Sequence, residues 1–83
     1  MKQLLTTPSQ LGQVLQSARR AAKLSQTDLA ARLDVSQSRI SHMELNPGSI
    51  SADQLLALIS ILGLELVVQD RRAAGAEASP VEW

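Results

Sequence analysis

Residues 26–45 contain two short helical patterns separated by a tight turn, and this stretch limits the folds that the rest of the chain can adopt. Ser25 lies three residues before Asp28, a spacing in which the serine hydroxyl caps free helix amides and the acid stands near the positive helix end. Asp34 interrupts the first pattern, because aspartate tolerates the left-handed backbone with which many helices end. Ser36 has the residue type that begins a second helix. The apolar positions with helical spacing, which we expect to face inward, are Leu29, Ala30, Leu33, Ile40 and Met43.

The side chains that would face outward from the second helix are polar, of short or medium length, and mostly uncharged. They are Gln37, Ser38, Ser41 and His42, with Arg39 beside them. Side chains of this kind can read the hydrogen-bond donors and acceptors of base edges in the major groove of DNA. We expect Gln26 and Ser36 to reach phosphate instead, and Arg39 to contact either group. A helical hairpin that binds no nucleic acid is the alternative.

The stretch closely resembles the helix-turn-helix of the Cro/CI repressor superfamily. The residues that carry the resemblance are Gln26, Leu29, Ala30, Leu33, Val35, Ile40, Met43 and Glu44. The superfamily usually has a glycine at the turn, where this chain has Asp34. In its phage-repressor members an arginine of the first helix pairs with a glutamate at the end of the recognition helix, and Arg19 and Glu44 occupy the matching positions. The resemblance therefore implies a structural ion pair between these two residues.

The chain is short, and its charge is unevenly distributed. Its 83 residues suffice for one domain, and the absence of cysteine excludes a disulfide framework and a zinc finger. The net charge is zero, yet residues 1–45 carry six basic and three acidic side chains, whereas residues 46–83 carry two basic and five acidic ones. This asymmetry suggests that the first half of the chain meets phosphate.

No catalytic, cofactor-binding or metal-binding constellation is recognisable in the sequence, so we expect a protein that is not an enzyme. His42 is the single histidine, and the chain has no glycine-rich phosphate loop. The first residues contain too short an apolar run for a signal peptide, and no run of about 18 apolar residues could cross a membrane. We therefore expect a cytoplasmic protein without a membrane partner.

Two further helices flank the hairpin. Thr7, Pro8 and Gln10 form a helix start of the capping-box type, and an apolar face follows them. Ser51 begins another helix, which is apolar on nearly all sides and which Gly63 would end. With the hairpin, these patterns predict a mainly α fold of four helices, the lambda-repressor-like bundle that the resemblance implies.

Residues 64–70 differ from the rest, because β-branched side chains and partial alternation favour a β-strand. A lone strand leaves its backbone amides unpaired, so we expect it to pair antiparallel with the same strand of a second subunit. A fifth helix, as in most phage repressors, is the alternative. The predicted homodimer interface consists of Leu58, Ile59, Leu62, Leu64, Leu66 and Val68.

The last residues, 71–83, have no periodicity and are rich in small side chains, which favours a disordered tail after a folded domain at 1–70. The tail ends in Trp83, the only aromatic residue of the chain. Because tryptophan is enriched at binding hot spots, we expect Trp83 to anchor a protein partner. The alternative is that the tryptophan at this terminus has no function.

The order of these features resembles the HipB antitoxins, the partners of HipA kinase toxins. The segments that carry this likeness are 9–11, 25–44, 46–47, 64–66 and 82–83. The resemblance implies a homodimer that binds operator DNA, represses its own operon and neutralises a HipA-like serine/threonine kinase toxin. We expect the operator to be palindromic double-stranded DNA, as two-fold symmetry requires, and Trp83 to contact the toxin. The alternatives are a free-standing Cro/CI-type repressor without a toxin and a helical adaptor that has lost DNA binding.

Overall fold

The computed structural model describes residues 2–71. Regular structure in this range comprises four α-helices and one 3₁₀ turn. They are α1 (Pro8–Ala21), α2 (Gln26–Leu33), α3 (Gln37–Leu45), the 3₁₀ turn (Pro47–Ser49) and α4 (Ala52–Ile61). The predicted four-helix fold is therefore confirmed, whereas the tail from residue 72, with Trp83, lies outside the described residues. Among the helices of residues 2–71, none combines the length and the hydrophobicity needed to cross a bilayer.

Local capping signals determine where the helices begin. Each α-helix follows a hydroxyl that accepts a hydrogen bond from a backbone amide of its first turn, and the four hydroxyls belong to Thr7, Ser25, Ser36 and Ser51. At the starts of α1, α2 and α4, a side chain of the first turn also accepts a hydrogen bond from the amide of the capping residue. At each of these starts, two backbone amides that the helix itself leaves unbonded thus find an acceptor, as the sequence predicts. In α2 the hydrogen bond from the Ser25 amide to Asp28 lowers the pKa of the Asp28 carboxyl.

Left-handed backbone follows three of the helices. Asp34, after α2, has a φ of 63°, and Gly63, after α4, has a φ of 71°. Both positions were predicted as helix ends, and Asp34 adopts without glycine the conformation that usually favours glycine. Lys23, after α1, has a φ of 60°, which its local sequence did not predict.

One apolar core joins all four helices. Its buried members are Leu15, Leu29, Ala30, Ile40, Met43, Leu58 and Leu62. Ala30 is buried in α2, a helix that packs against α3. Leu58 and Leu62, which the sequence placed at a dimer interface, belong to this core and are only 2% and 9% exposed. Their side chains therefore have almost no surface left for a second subunit.

Residues 64–70 form neither a helix nor a strand. The predicted β-strand and its pairing across a dimer are therefore not confirmed. The physical reason is that a strand requires a hydrogen-bonded neighbour, and no other segment within residues 2–71 forms a ladder with this one. The alternative of a fifth helix is likewise absent from residues 64–70.

At Gly12, α1 approaches the end of α3 and the 3₁₀ turn so closely that a side chain does not fit. A Cβ at this position would lie 2.6 Å from the backbone oxygen of Glu44 and 2.7 Å from Cγ of Pro47. Neither neighbour is the far end of a flexible side chain, so neither can move aside at little cost. The glycine therefore sets the distance between α1 and α3.

Gly12→Ala should destabilise the protein, although alanine is the better helix former by about 1 kcal/mol. Overpacking against Glu44 and Pro47 should outweigh that gain and lower the free energy of unfolding by roughly 1–3 kcal/mol. Urea denaturation followed by circular dichroism measures the change. Gly48→Ala is the matched control, because the nearest atom to its Cβ would be Oδ1 of Asn46 at 3.8 Å. Equal stability of the Gly12→Ala variant and the unmodified protein would contradict the close packing.

Candidate nucleic-acid interface

The face of α3 that points away from the core carries the side chains predicted to meet DNA. Ile40 and Met43, each 1% exposed, fix the opposite face of this helix against the core. As a consequence Gln37, Ser38 and His42 are exposed and Ser41 is half-buried, one helical turn after Gln37. Ser36, the capping residue of α3, is exposed at the same end of the helix as Gln37. The structure thus brings these predicted contacts together on one surface.

Gln37 is oriented by a residue of the preceding helix. Its Nε2 donates a hydrogen bond to Oε1 of Gln26 over 2.6 Å. A primary amide has two N–H donors and a carbonyl acceptor, so this bond leaves Gln37 one donor and its oxygen. One donor and one acceptor on the same amide match the N7 and N6 groups that adenine presents in the major groove.

Gln26 is held in turn by a buried ion pair. Its Nε2 donates to Oε1 of Glu44 over 3.0 Å. Glu44 Oε2 accepts from Nε of Arg19 over 2.6 Å, and the two side chains are only 6% and 9% exposed. Nη1 of Arg19 also donates to the backbone oxygen of Leu24 over 2.9 Å. A continuous chain of hydrogen bonds therefore runs from α1, through Glu44 at the end of α3 and Gln26 of α2, to Gln37 at the surface.

Hydrogen-bond satisfaction explains why the buried charges are tolerated. An ionised group removed from water is costly unless it is paired and hydrogen-bonded. Within residues 2–71, no buried side-chain nitrogen or oxygen lacks a hydrogen-bond partner. The ion pair between Arg19 and Glu44, which the family resemblance implied, is thus present and fully bonded.

Arg39 is bonded within the protomer more extensively than the other predicted DNA contacts, because its guanidinium makes three hydrogen bonds there. Nη1 donates to Oγ of Ser49 over 3.2 Å, and Nη2 donates to the backbone oxygen of Ser49 and to Oε1 of Gln54, each over 2.9 Å. The side chain is half-buried. In this arrangement Arg39 joins α3 to the 3₁₀ turn and to α4.

Sequence reasoning missed two features of this surface. The bonds of Gln26 to Gln37 and to Glu44 span 11 and 18 residues, so no local pattern announces them. Leu45 is 84% exposed and lies four residues after Ser41 and seven after Ser38, on the same helical face. Its exposure follows from helical spacing, a signal that was available in the sequence.

The helix-turn-helix family HTH_3 matches residues 15–69, which include α2, α3, α4 and the second half of α1. The chain belongs to this helix-turn-helix family. The family is one of DNA-binding proteins and not one of enzymes.

Antitoxin HipB from Escherichia coli O6:H1 strain CFT073 is homologous to this helix-turn-helix protein. The two are 27% identical over 84 residues, which cover 98% of this chain and 89% of HipB. A solved HipB–O1–O2 complex matches with a TM-score of 0.74 and 25% identity, covering 83% of this chain and 100% of the other. A HipA–HipB–O2–O3 complex matches with a TM-score of 0.75 and 24% identity, covering 84% of this chain and 99% of the other, and shows the shared fold.

Proposed function

We propose that this helix-turn-helix protein is a HipB-like antitoxin that binds operator DNA as a homodimer, represses its own operon and neutralises a HipA-like serine/threonine kinase toxin. The observation that carries the proposal is the exposed polar face of α3, whose first residue, Gln37, is held in place by a chain of hydrogen bonds from the buried ion pair. The homology to HipB supports the same function. A protein of this kind acts in the bacterial cytoplasm.

DNA contacts divide between two groups of residues in this proposal. Gln37, Ser38, Ser41 and His42 read base edges, with Gln37 as the bidentate reader of adenine. Gln26 is the first residue of α2, and Ser36 caps α3. The free amides and the positive dipole ends of these helix starts attract phosphate. Arg39 stays outside the contact set, because its guanidinium bonds to Ser49 and Gln54.

Gln37→Ala should weaken binding to the operator by roughly 1–3 kcal/mol and relax the preference at one base position, because a bidentate contact is removed. Fluorescence anisotropy with DNA from upstream of the protein's own gene, and with a set of single-base variants, measures both effects. Gln13→Ala, which shortens an exposed glutamine of α1, is the matched control and should bind normally. Unchanged affinity together with unchanged base preference would exclude Gln37 from the groove.

A second copy of the chain is the proposed partner of the C-terminal segment. Large apolar side chains are exposed along residues 64–70 and on α4, and they are Leu56, Leu66, Val67 and Val68. An exposed apolar surface of this kind marks a protein interface. We place Ile59 and Leu64, which are half-buried in the protomer, at the edge of the same interface. Antiparallel pairing of residues 64–70 across a two-fold axis would set two α3 helices about 34 Å apart, as a palindromic operator requires.

Val68→Lys should dissociate the dimer and abolish operator binding together, because Val68 is 89% exposed in the protomer and its burial would place the new charge in an apolar interface. Light scattering measures the mass, and anisotropy measures DNA binding on the same samples. Gln13→Lys adds the same charge on the exposed surface of α1, outside α4 and residues 64–70. This control should remain dimeric. An unmodified protein that is monomeric at micromolar concentration would refute the proposed interface.

Trp83, outside the described residues, is the proposed anchor for the toxin. A solved complex of the homologous HipB contains HipA, so a HipA-like kinase is the partner to test. Trp83 is the only aromatic residue of the chain, and tryptophan contributes strongly where a pocket desolvates it. The second half of the chain carries two basic and five acidic residues, so its net charge is opposite in sign to that of the proposed DNA-binding half.

Trp83→Ala should weaken binding to a HipA-like kinase from the same genome by roughly 2 kcal/mol or more, the effect typical of a hot-spot residue. Calorimetry measures this affinity, and operator binding by the free antitoxin should stay unchanged. Glu77→Ala, also within residues 71–83, is the control and should bind the kinase like the unmodified protein. Equal kinase affinities of Trp83→Ala and the unmodified protein would show that Trp83 does not anchor the toxin. A kinase that fails to bind the unmodified protein would favour a free-standing repressor.

A further inference from the structure

Arg39 makes the direct polar link between α3 and α4. Elsewhere in residues 2–71, α3 packs mainly against α1, α2 and the 3₁₀ turn, while α4 packs mainly against α2. The Arg39 guanidinium crosses this gap and donates to Ser49 and to Gln54, which belongs to the first turn of α4. Beside the shared apolar core, Arg39 therefore gives α3 and α4 a directional polar connection.

The acceptor on α4 is part of the structure that starts this helix. Oε1 of Gln54 accepts from Nη2 of Arg39 over 2.9 Å and from the Ser51 amide over 3.3 Å. The second bond is half of the capping box of α4. The residue that Arg39 contacts on α4 is therefore one that the capping box already holds in place.

Geometry matters more than charge in this cluster. All three acceptors of Arg39 are neutral oxygens, and the buried carboxylate of Glu44 pairs with Arg19. A planar guanidinium presents several donors in a rigid fork, which an ammonium group cannot reproduce. Lysine at this position would therefore keep the charge and lose the arrangement of the bonds.

We propose that Arg39 is a positioning residue that fixes the angle between the recognition helix α3 and the dimerisation helix α4, and thereby selects the operator half-site spacing. The proposal rests on the proposed function. In a dimer with recognition helices about 34 Å apart, each helix lies about 17 Å from the two-fold axis. A rotation of about 10° then displaces the helix by about 3 Å, close to one base-pair step of the duplex. Loss of the Arg39 hydrogen bonds should consequently reduce the preference of the dimer for one half-site spacing.

The test compares binding to operators whose half-sites are moved apart or together by a single base pair. Arg39→Lys and Arg39→Met should each reduce the preference for the native spacing by roughly ten-fold, the size expected when hydrogen bonds to a charged group are lost. Gln54→Glu keeps an acceptor for both Arg39 and the Ser51 amide, so it should retain the preference. Arg32→Lys, on the exposed surface of α2, is the matched control for the arginine-to-lysine change.

Salt dependence separates positioning from a phosphate contact. If Arg39 touched phosphate, Arg39→Lys would bind like the unmodified protein. Arg39→Met would then weaken all spacings equally and reduce the slope of log affinity against log salt by about 1. That pattern would overturn the proposal, and so would an unchanged spacing preference in Arg39→Lys. If Arg39→Met does not fold, Arg39→Lys carries the test, because it retains the charge and the aliphatic stem. An unmodified protein without specific duplex binding would instead contradict the proposed function.

Discussion

The buried ion pair between Arg19 and Glu44 is the interaction on which the exposed polar face of α3 depends. It connects α1 to the end of α3 across 25 residues of sequence, with both side chains almost fully removed from water. Desolvation offsets much of the attraction in such a pair, so its main effect is to permit one arrangement of the helices and to penalise others. Gly12 contributes to the same geometry, because it lets α1 approach the Glu44 backbone.

Hydrogen bonds carry this constraint from the interior to the surface. Glu44 accepts from Gln26, and Gln26 accepts from Gln37, so the amide of an exposed residue is held by a buried carboxylate. Bonds in such chains polarise one another, which makes the whole chain stiffer than separate contacts would be. Arg39 provides a second attachment near the start of α3, directed at Ser49 and Gln54. Helix α3 is consequently held at both ends by polar contacts and along its middle by apolar packing.

The C-terminal part of the protomer has the opposite character. Leu58 and Leu62 are buried in the core, whereas Val67 and Val68 remain exposed on a segment that is neither helix nor strand. A small domain buries only a limited share of its surface, so association with another chain is a common way to cover such side chains. The polar face of α3 is thus organised by contacts within one protomer, whereas residues 64–70 leave apolar side chains exposed.

The amino-acid sequence by itself determined the helices and their ends, because these depend on signals within three or four residues. The hydroxyl caps, the left-handed Asp34 and Gly63, and the inward positions Ile40 and Met43 all follow from such local rules. Apart from the Arg19–Glu44 pair, which the family resemblance implied, only the tertiary structure decided which side chains meet across 10 to 18 residues of sequence, including the inward direction of Arg39 and the Gln26–Gln37 bond. It also decided that Leu58 lies in the protomer core, since a helix apolar on nearly all sides does not reveal which side its own chain will cover.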